Sequence, residues 1–523
     1  MIAEPIQTFL DRLSEIRRDT WTANPTDHLV QVHSITSRTG VFYEKLRYLV
    51  DDVEEHLIRR SAIGRILKRS LVLENKGNVG MMLLTELVSG GYLPNNAIPE
   101  KIAANIQAIT NKYLVIRQIL RDRNELTQFQ KILISCVASE IEAFLYPAPS
   151  DDLIVEALYH TVKDRIRRSD ALSPEEFNTQ VYIAARRSLL KNDNKALIYA
   201  LWRRVTPNWG NETDVGSIRL VGEQFARTIR GIESRVDDDF NLHLTPKLRN
   251  QSIFFSLLKE LVDQYGLEAK NIISNTSYFD ELVTENLKSK YKKQSERSRR
   301  SGWRAVGYVF FTKIILAFVI ELPYEVFFLK GIVYPAFITN IVFHPLLLLA
   351  ITWRIRFDEA DNTGFILNGL HEVLYGSISK PISGGRRGGS FVRGLFTVLY
   401  GAMFLGIFYA IISLLQSFNF NIVSIVLFLL FLTIVSYFGL RIRFNAKRWK
   451  ADSGTDGAFV TLWNLLTLPL VSMGQWFIRR VATVNLFVLF LDFIIETPFK
   501  LLLSTLDSFI SYLKEKSEET YNV

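Results

Sequence analysis

Residues 288–304 read KSKYKKQSERSRRSGWR, residues 306–320 read VGYVFFTKIILAFVI and residues 332–351 read IVYPAFITNIVFHPLLLLAI. The first run is dense in lysine and arginine, and the next two are long apolar runs that with their flanks reach the length of a bilayer span. Charge that gives way abruptly to hydrocarbon marks a chain going into a membrane. The stretch closes on Trp353-Arg354-Ile355-Arg356-Phe357, a basic stop. Everything before it reads as soluble and helical, and everything after it as membrane or membrane surface.

The composition agrees once it is divided. Hydrophobic residues are 48% of the 523, but they concentrate after residue 305, so the average describes neither half. A net charge of +9 spread over a soluble domain would suggest nucleic acid. Here much of the excess sits in short clusters beside apolar runs, which fits anionic lipid headgroups and makes a nucleic-acid partner unexpected. The single cysteine, Cys136, excludes an internal disulfide and any multi-cysteine metal site, and suits a reducing compartment. The N-terminal MIAEPIQTFLDRLSEIRRDT has no charged segment followed by an apolar core, so no cleaved signal peptide is expected.

The fold class expected is all-α: a helical cytoplasmic domain followed by a polytopic α-helical membrane domain with an internal hairpin repeat. Residues 1–287 form the soluble domain and 288–303 a basic helical stalk. Apolar residues from Phe42 to Leu71 recur at spacings of three and four over 40–73, and shorter helices follow at 78–88, 98–122, 126–144, 151–168, 174–190, 194–205, 216–236, 245–264 and 277–300. Ser173-Pro174-Glu175-Glu176 is a helix start, with serine as N-cap and proline at the first helical position. No strand alternation appears.

Four spans are expected, near 304–322, 332–352, 394–416 and 420–440. They group as a hairpin over 304–357, a loop with an interfacial helix over 358–393, a hairpin over 394–444, a second such loop over 445–480, and a fifth apolar element with a polar tail over 481–523. Basic residues gather at one end of every span, so the positive-inside rule puts the N-terminal domain and central loop in the cytoplasm of a plasma or inner membrane. Arg354-Ile355-Arg356-Phe357 recurs as Arg441-Ile442-Arg443-Phe444, and Phe318 to Tyr324 resembles Phe493 to Phe499. The expected unit is hairpin, basic stop, interfacial helix, repeated about two and a half times.

Ionisable residues inside apolar runs are costly and draw attention to themselves. Lys313 and Asp492 lie about 13 and 18 Å into their helices at 1.5 Å per residue and form a possible intramembrane pair. His344, Glu321 and Glu496 are further intramembrane polar candidates. Contacts to anionic lipid are expected from Lys292, Lys293, Arg299, Arg300, Arg354, Arg356, Arg386, Arg387, Arg441 and Arg443. Phe357-Asp358-Glu359-Ala360-Asp361 resembles the acidic word of a helicase, but no phosphate-binding GxxxxGK[ST] loop accompanies it. With neither HExxH nor GxSxG present, no metal, cofactor or catalytic residue is nominated. The first functional expectation is a non-enzymatic scaffold whose cytoplasmic domain meets a protein partner. The second is a channel or transporter using Lys313 and Asp492, and the third a lipid-modifying enzyme drawing on Glu321, His344, Asp358 and His371.

Overall fold

The computed structural model describes residues 2–15, 27–32, 54–72, 79–168, 172–331, 333–353, 359–376, 381–382, 390–451 and 458–484. Among these the chain is almost entirely helical, with two isolated β-bridges, Leu29 to Pro99 and Ile166 to Ile382, and no strand. It divides into two compact units, one of residues 1–281 with 366–386, the other of residues 282–365 with 387–523.

The first unit begins with α1 (Glu4–Glu15), α2 (Glu55–Val72), α3 (Val79–Ser89), α4 (Ile102–Asp122), α5 (Leu126–Leu145) and α6 (Pro149–Val162). It continues with α7 (Pro174–Leu190), α8 (Asn194–Val205), α9 (Val215–Val236), α10 (Asp239–Leu244), α11 (Arg249–Tyr265) and α12 (Ala269–Ser274). Side chains fix several of these starts. Ser173 accepts from the Glu176 amide at 3.2 Å, Asp193 from Ala196 at 2.8 Å and Asp214 from Ser217 at 2.8 Å, each satisfying a donor that the first helical turn leaves open.

The core of this unit holds a charged network. Lys112 on α4 donates to Glu140 on α5 at 2.7 Å and to the Trp209 carbonyl at 2.8 Å. The other carboxylate oxygen of Glu140 accepts from Tyr113 at 2.6 Å and from the Trp209 indole at 2.8 Å. Every polar group there has a partner, which is what makes a buried ion pair tolerable. Cys136 lies one turn before Glu140, fully buried, and burial pushes its thiol up out of the reactive range.

The boundary between units falls within α13 (Thr276–Leu316). That helix does not stop at residue 300. It continues through a π-helical turn (Ala317–Glu321) into α14 (Leu322–Phe327), one helical stretch of 52 residues. Then come α15 (Tyr334–Trp353), α16 (Glu359–Tyr375), α17 (Ser390–Ser417), α18 (Ile422–Ala446) and α19 (Ala458–Val484). Among the described residues, four helical stretches are long and apolar enough to cross a membrane: Thr276–Phe327, Tyr334–Thr352, Gly394–Ser417 and Ile422–Ala446.

Two stretches show packing that the sequence pattern did not specify. The apolar side of α16, Ile366, Leu370, Val373 and Leu374, is buried within the first unit, with Gly369 against the ring of Phe254. Helix α19 runs unbroken through Arg479 and Arg480. It packs along α18 so tightly that a Cβ on Gly474 would lie 2.1 Å from the Thr433 carbonyl oxygen, halfway along that helix. Pairing with the middle of a spanning helix is a packing contact that composition does not announce.

Candidate functional site: a polar cluster enclosed in the second unit

Helices α13, α14, α15 and α18 bring together Lys313, Glu321, Glu325, Asn340, His344 and Ser424, which are 0–1% exposed. Pro323 explains part of how. A proline inside a helix lacks a donor and crowds the preceding turn, and a π turn relieves both. It also changes the facing. On a regular helix Glu321, eight residues after Lys313, would point about 80° away from it; one extra residue in the turn removes roughly 100° and returns both to nearly one face. Glu325, one turn further on, stays on that side.

The carboxylates are held from two other helices. Asn340 on α15 donates its amide to both oxygens of Glu321, at 2.7 and 2.9 Å, and the Ser424 hydroxyl on α18 donates to one of them. Asn421 caps α18 by accepting from the Ser424 amide at 2.8 Å, and its own amide donates to Glu325 Oε1 at 2.8 Å. Helix capping and carboxylate binding are thus one residue's work.

His344 lies deeper, before Pro345. Its ring packs edge-on to Phe428 at 4.6 Å and against Phe431 at 5.8 Å. Nδ1 faces the Asn340 carbonyl at 3.1 Å and Nε2 the Phe428 carbonyl at 2.9 Å. Lys313 places its ammonium 4.5 Å from the centre of the Phe431 ring and has no hydrogen-bond acceptor among the described residues, although the charge of Glu321 acts on it. A cation over an aromatic face is attracted by the ring's quadrupole, but less than a carboxylate would attract it.

The cluster has an apolar floor. One turn before Lys313 is Val309, one turn after His344 is Leu348, and one turn after Phe431 is Val435; these four, Phe431 included, pack as one buried hydrophobic cluster. From Glu325 inward the order is therefore carboxyl, carboxyl with its amide and hydroxyl, imidazole, ammonium, hydrocarbon. The arrangement encloses groups of both signs with few fixed pairings.

Of the residues nominated from sequence, Lys313, Glu321 and His344 fall in this cluster; Asp492, Glu496, Arg354, Arg356, Asp358, Arg386 and Arg387 lie outside the described residues. Lys292, Lys293, Arg299 and Arg300 are exposed on α13, as is Arg443 on α18, while Arg441 is partly buried. His371 is in the first unit, 2.7 Å from Asp280. Sequence reasoning missed Glu325, Asn340, Asn421 and Ser424. The signal for Asn340 was there, a carboxamide in an otherwise apolar run; Glu325 was hidden in the connection between spans.

No family model, curated protein or solved structure matches this chain.

Proposed function

We propose that this chain is a multi-pass membrane protein that moves a small ion through its second unit, with Lys313, Glu321, Glu325, Asn340, His344 and Ser424 along the path. One observation carries the reading: two carboxylates, an ammonium and an imidazole are fully enclosed among helices long enough to span a bilayer. Such groups cost several kcal/mol each in hydrocarbon and are kept where they serve substrate or ion movement. A π turn at the same place fits, since these turns gather at functional sites. The enclosed geometry corresponds to a closed state, with Val309, Leu348, Phe431 and Val435 as the seal.

The basic residues on α13 and at the end of α18 support an orientation in which the N-terminal unit is cytoplasmic and its lysines and arginines meet anionic headgroups. The repeated Arg-Ile-Arg-Phe word supports a duplicated hairpin. The scaffold reading draws on that exposed basic face and treats the polar cluster as helix-to-helix glue.

Accessibility separates path from glue. In a chain carrying Cys136→Ser, a Ser424→Cys variant is treated with a small charged thiol reagent. A water path exposes this position during turnover, so modification is expected, and a Val309→Cys control on the sealed layer stays unmodified from the same side. Complete protection of Ser424→Cys under all ionic conditions would leave the cluster as glue.

A further inference from the structure

The charges of the cluster do not balance, and the imidazole sits in a place that a neutral ring fits badly. Glu321 and Glu325 bring two negative charges and Lys313 one positive charge, all enclosed. A net charge left in a low-dielectric interior is strongly unfavourable, so one more positive equivalent is required. Independently, both ring nitrogens of His344 face carbonyl oxygens, at 3.1 and 2.9 Å. A neutral imidazole has one N–H and can satisfy only one of them; with a second proton it donates to both. Glu325 offers the other place, since its Oε2 is buried without a hydrogen-bond partner and only the Val333 amide acts on the carboxyl from the loop.

On the transport reading above, we propose that the ion is a proton: the cluster holds one exchangeable proton, carried on His344 or on Glu325. Uptake transfers a proton from hydronium to a ring nitrogen or a carboxylate oxygen and releases water, with no change of oxidation state. The other described groups facing these residues are neutral, namely Asn340, Asn421 and Ser424, and Lys330 in the connection after α14 is exposed. Lys313 then acts as a positive charge that weakens the cluster's hold on its proton, so that the proton can leave.

The test reads protonation, not flux, on the full-length protein in nanodiscs. Nitrogen-15 signals from its seven histidines, assigned with His344→Gln, report the imidazolium, and the infrared band of a protonated carboxyl, assigned with Glu325→Gln and Glu321→Gln, reports the acids. Between about pH 5 and pH 9 one of these signals is expected to titrate. In Lys313→Met its midpoint rises by at least about one unit, a tenfold tighter proton. An unchanged midpoint in Lys313→Met, or all three groups fixed throughout, overturns the proposal. So does a signal that follows sodium, exchanged for choline, in place of pH; an alkali cation would then be the missing charge. Vesicles without flux but with this titration sink the transport reading alone, and flux without titration sinks the proton alone.

Discussion

Replacing Glu140 with leucine removes the acceptor at the centre of the first unit's core and leaves its donors behind. Lys112, with its side chain 8% exposed, keeps only the carbonyls of Trp209 and Gly210; Tyr113 and the Trp209 indole lose their 2.6 and 2.8 Å bonds. Breaking one half of a buried pair costs about 3–5 kcal/mol, because the surviving charge is uncompensated. Cys136 supplies the readout. It is the only cysteine, is fully buried and has a thiol pushed up by burial first and the Glu140 charge second, so it reacts only when the unit opens. At about 1.4 kcal/mol per decade, Glu140→Leu is expected to speed maleimide labelling of the folded full-length chain by roughly a hundredfold to a few thousandfold. Converting Lys112 to methionine in the same chain should recover part of the loss, since the stranded charge goes too. A labelling rate within about threefold of the parent chain would refute the reasoning, because the network would then not be what holds the unit shut.

Three further outcomes are expected. Gly474→Ala forces a Cβ to 2.1 Å from the Thr433 carbonyl and should cost about 1–3 kcal/mol in thermal unfolding in detergent, whereas Gly401→Ala, with nothing within 4 Å, should be neutral or slightly stabilising. His56 is held down at about 4, from 6.5, by burial first, with Glu54 opposing. Its lowered value means that the unfolded chain takes up the proton first: the neutral folded form is unaffected above pH 6.5, and stability falls as pH drops from 6.5 toward 4. The loss measured between about pH 7.5 and pH 4.5 should be about 2–3 kcal/mol smaller in His56→Gln, and equal losses would contradict the assignment. Ser173→Ala removes the N-cap of α7 and should cost about 1 kcal/mol, with Ser173→Asp close to the parent chain.

Much of the helical order was legible because each element announces itself locally. Helix α7 starts where Ser173 and Pro174 put it, α8 spans its expected residues, and the four candidate spans follow from apolar runs near the ~20 residues a bilayer crossing needs. Lys313, Glu321 and His344 stood out because ionisable groups in such runs are expensive. What could not be read depends on partners far apart in the chain. Ser424 lies 103 residues from Glu321, and Phe428 lies 84 from His344. Lys112 and Glu140 are 28 apart on different helices, where each looks like a surface charge. The π turn was only implied by Pro323, and its consequence, that Lys313 and Glu321 share a face, needs the backbone.

The central claim is that charge crosses the second unit through this cluster, and proton flux tests it most directly. The full-length chain is reconstituted in vesicles that enclose a pH-sensitive dye, and a potassium gradient with valinomycin sets the driving potential. Flux above empty vesicles is expected, lost in Glu321→Gln that remains folded and retained in Gly401→Ala. Flux equal to that of empty vesicles for protons and for sodium alike, or undiminished in Glu321→Gln, would contradict the account and leave the enclosed charges as structural glue.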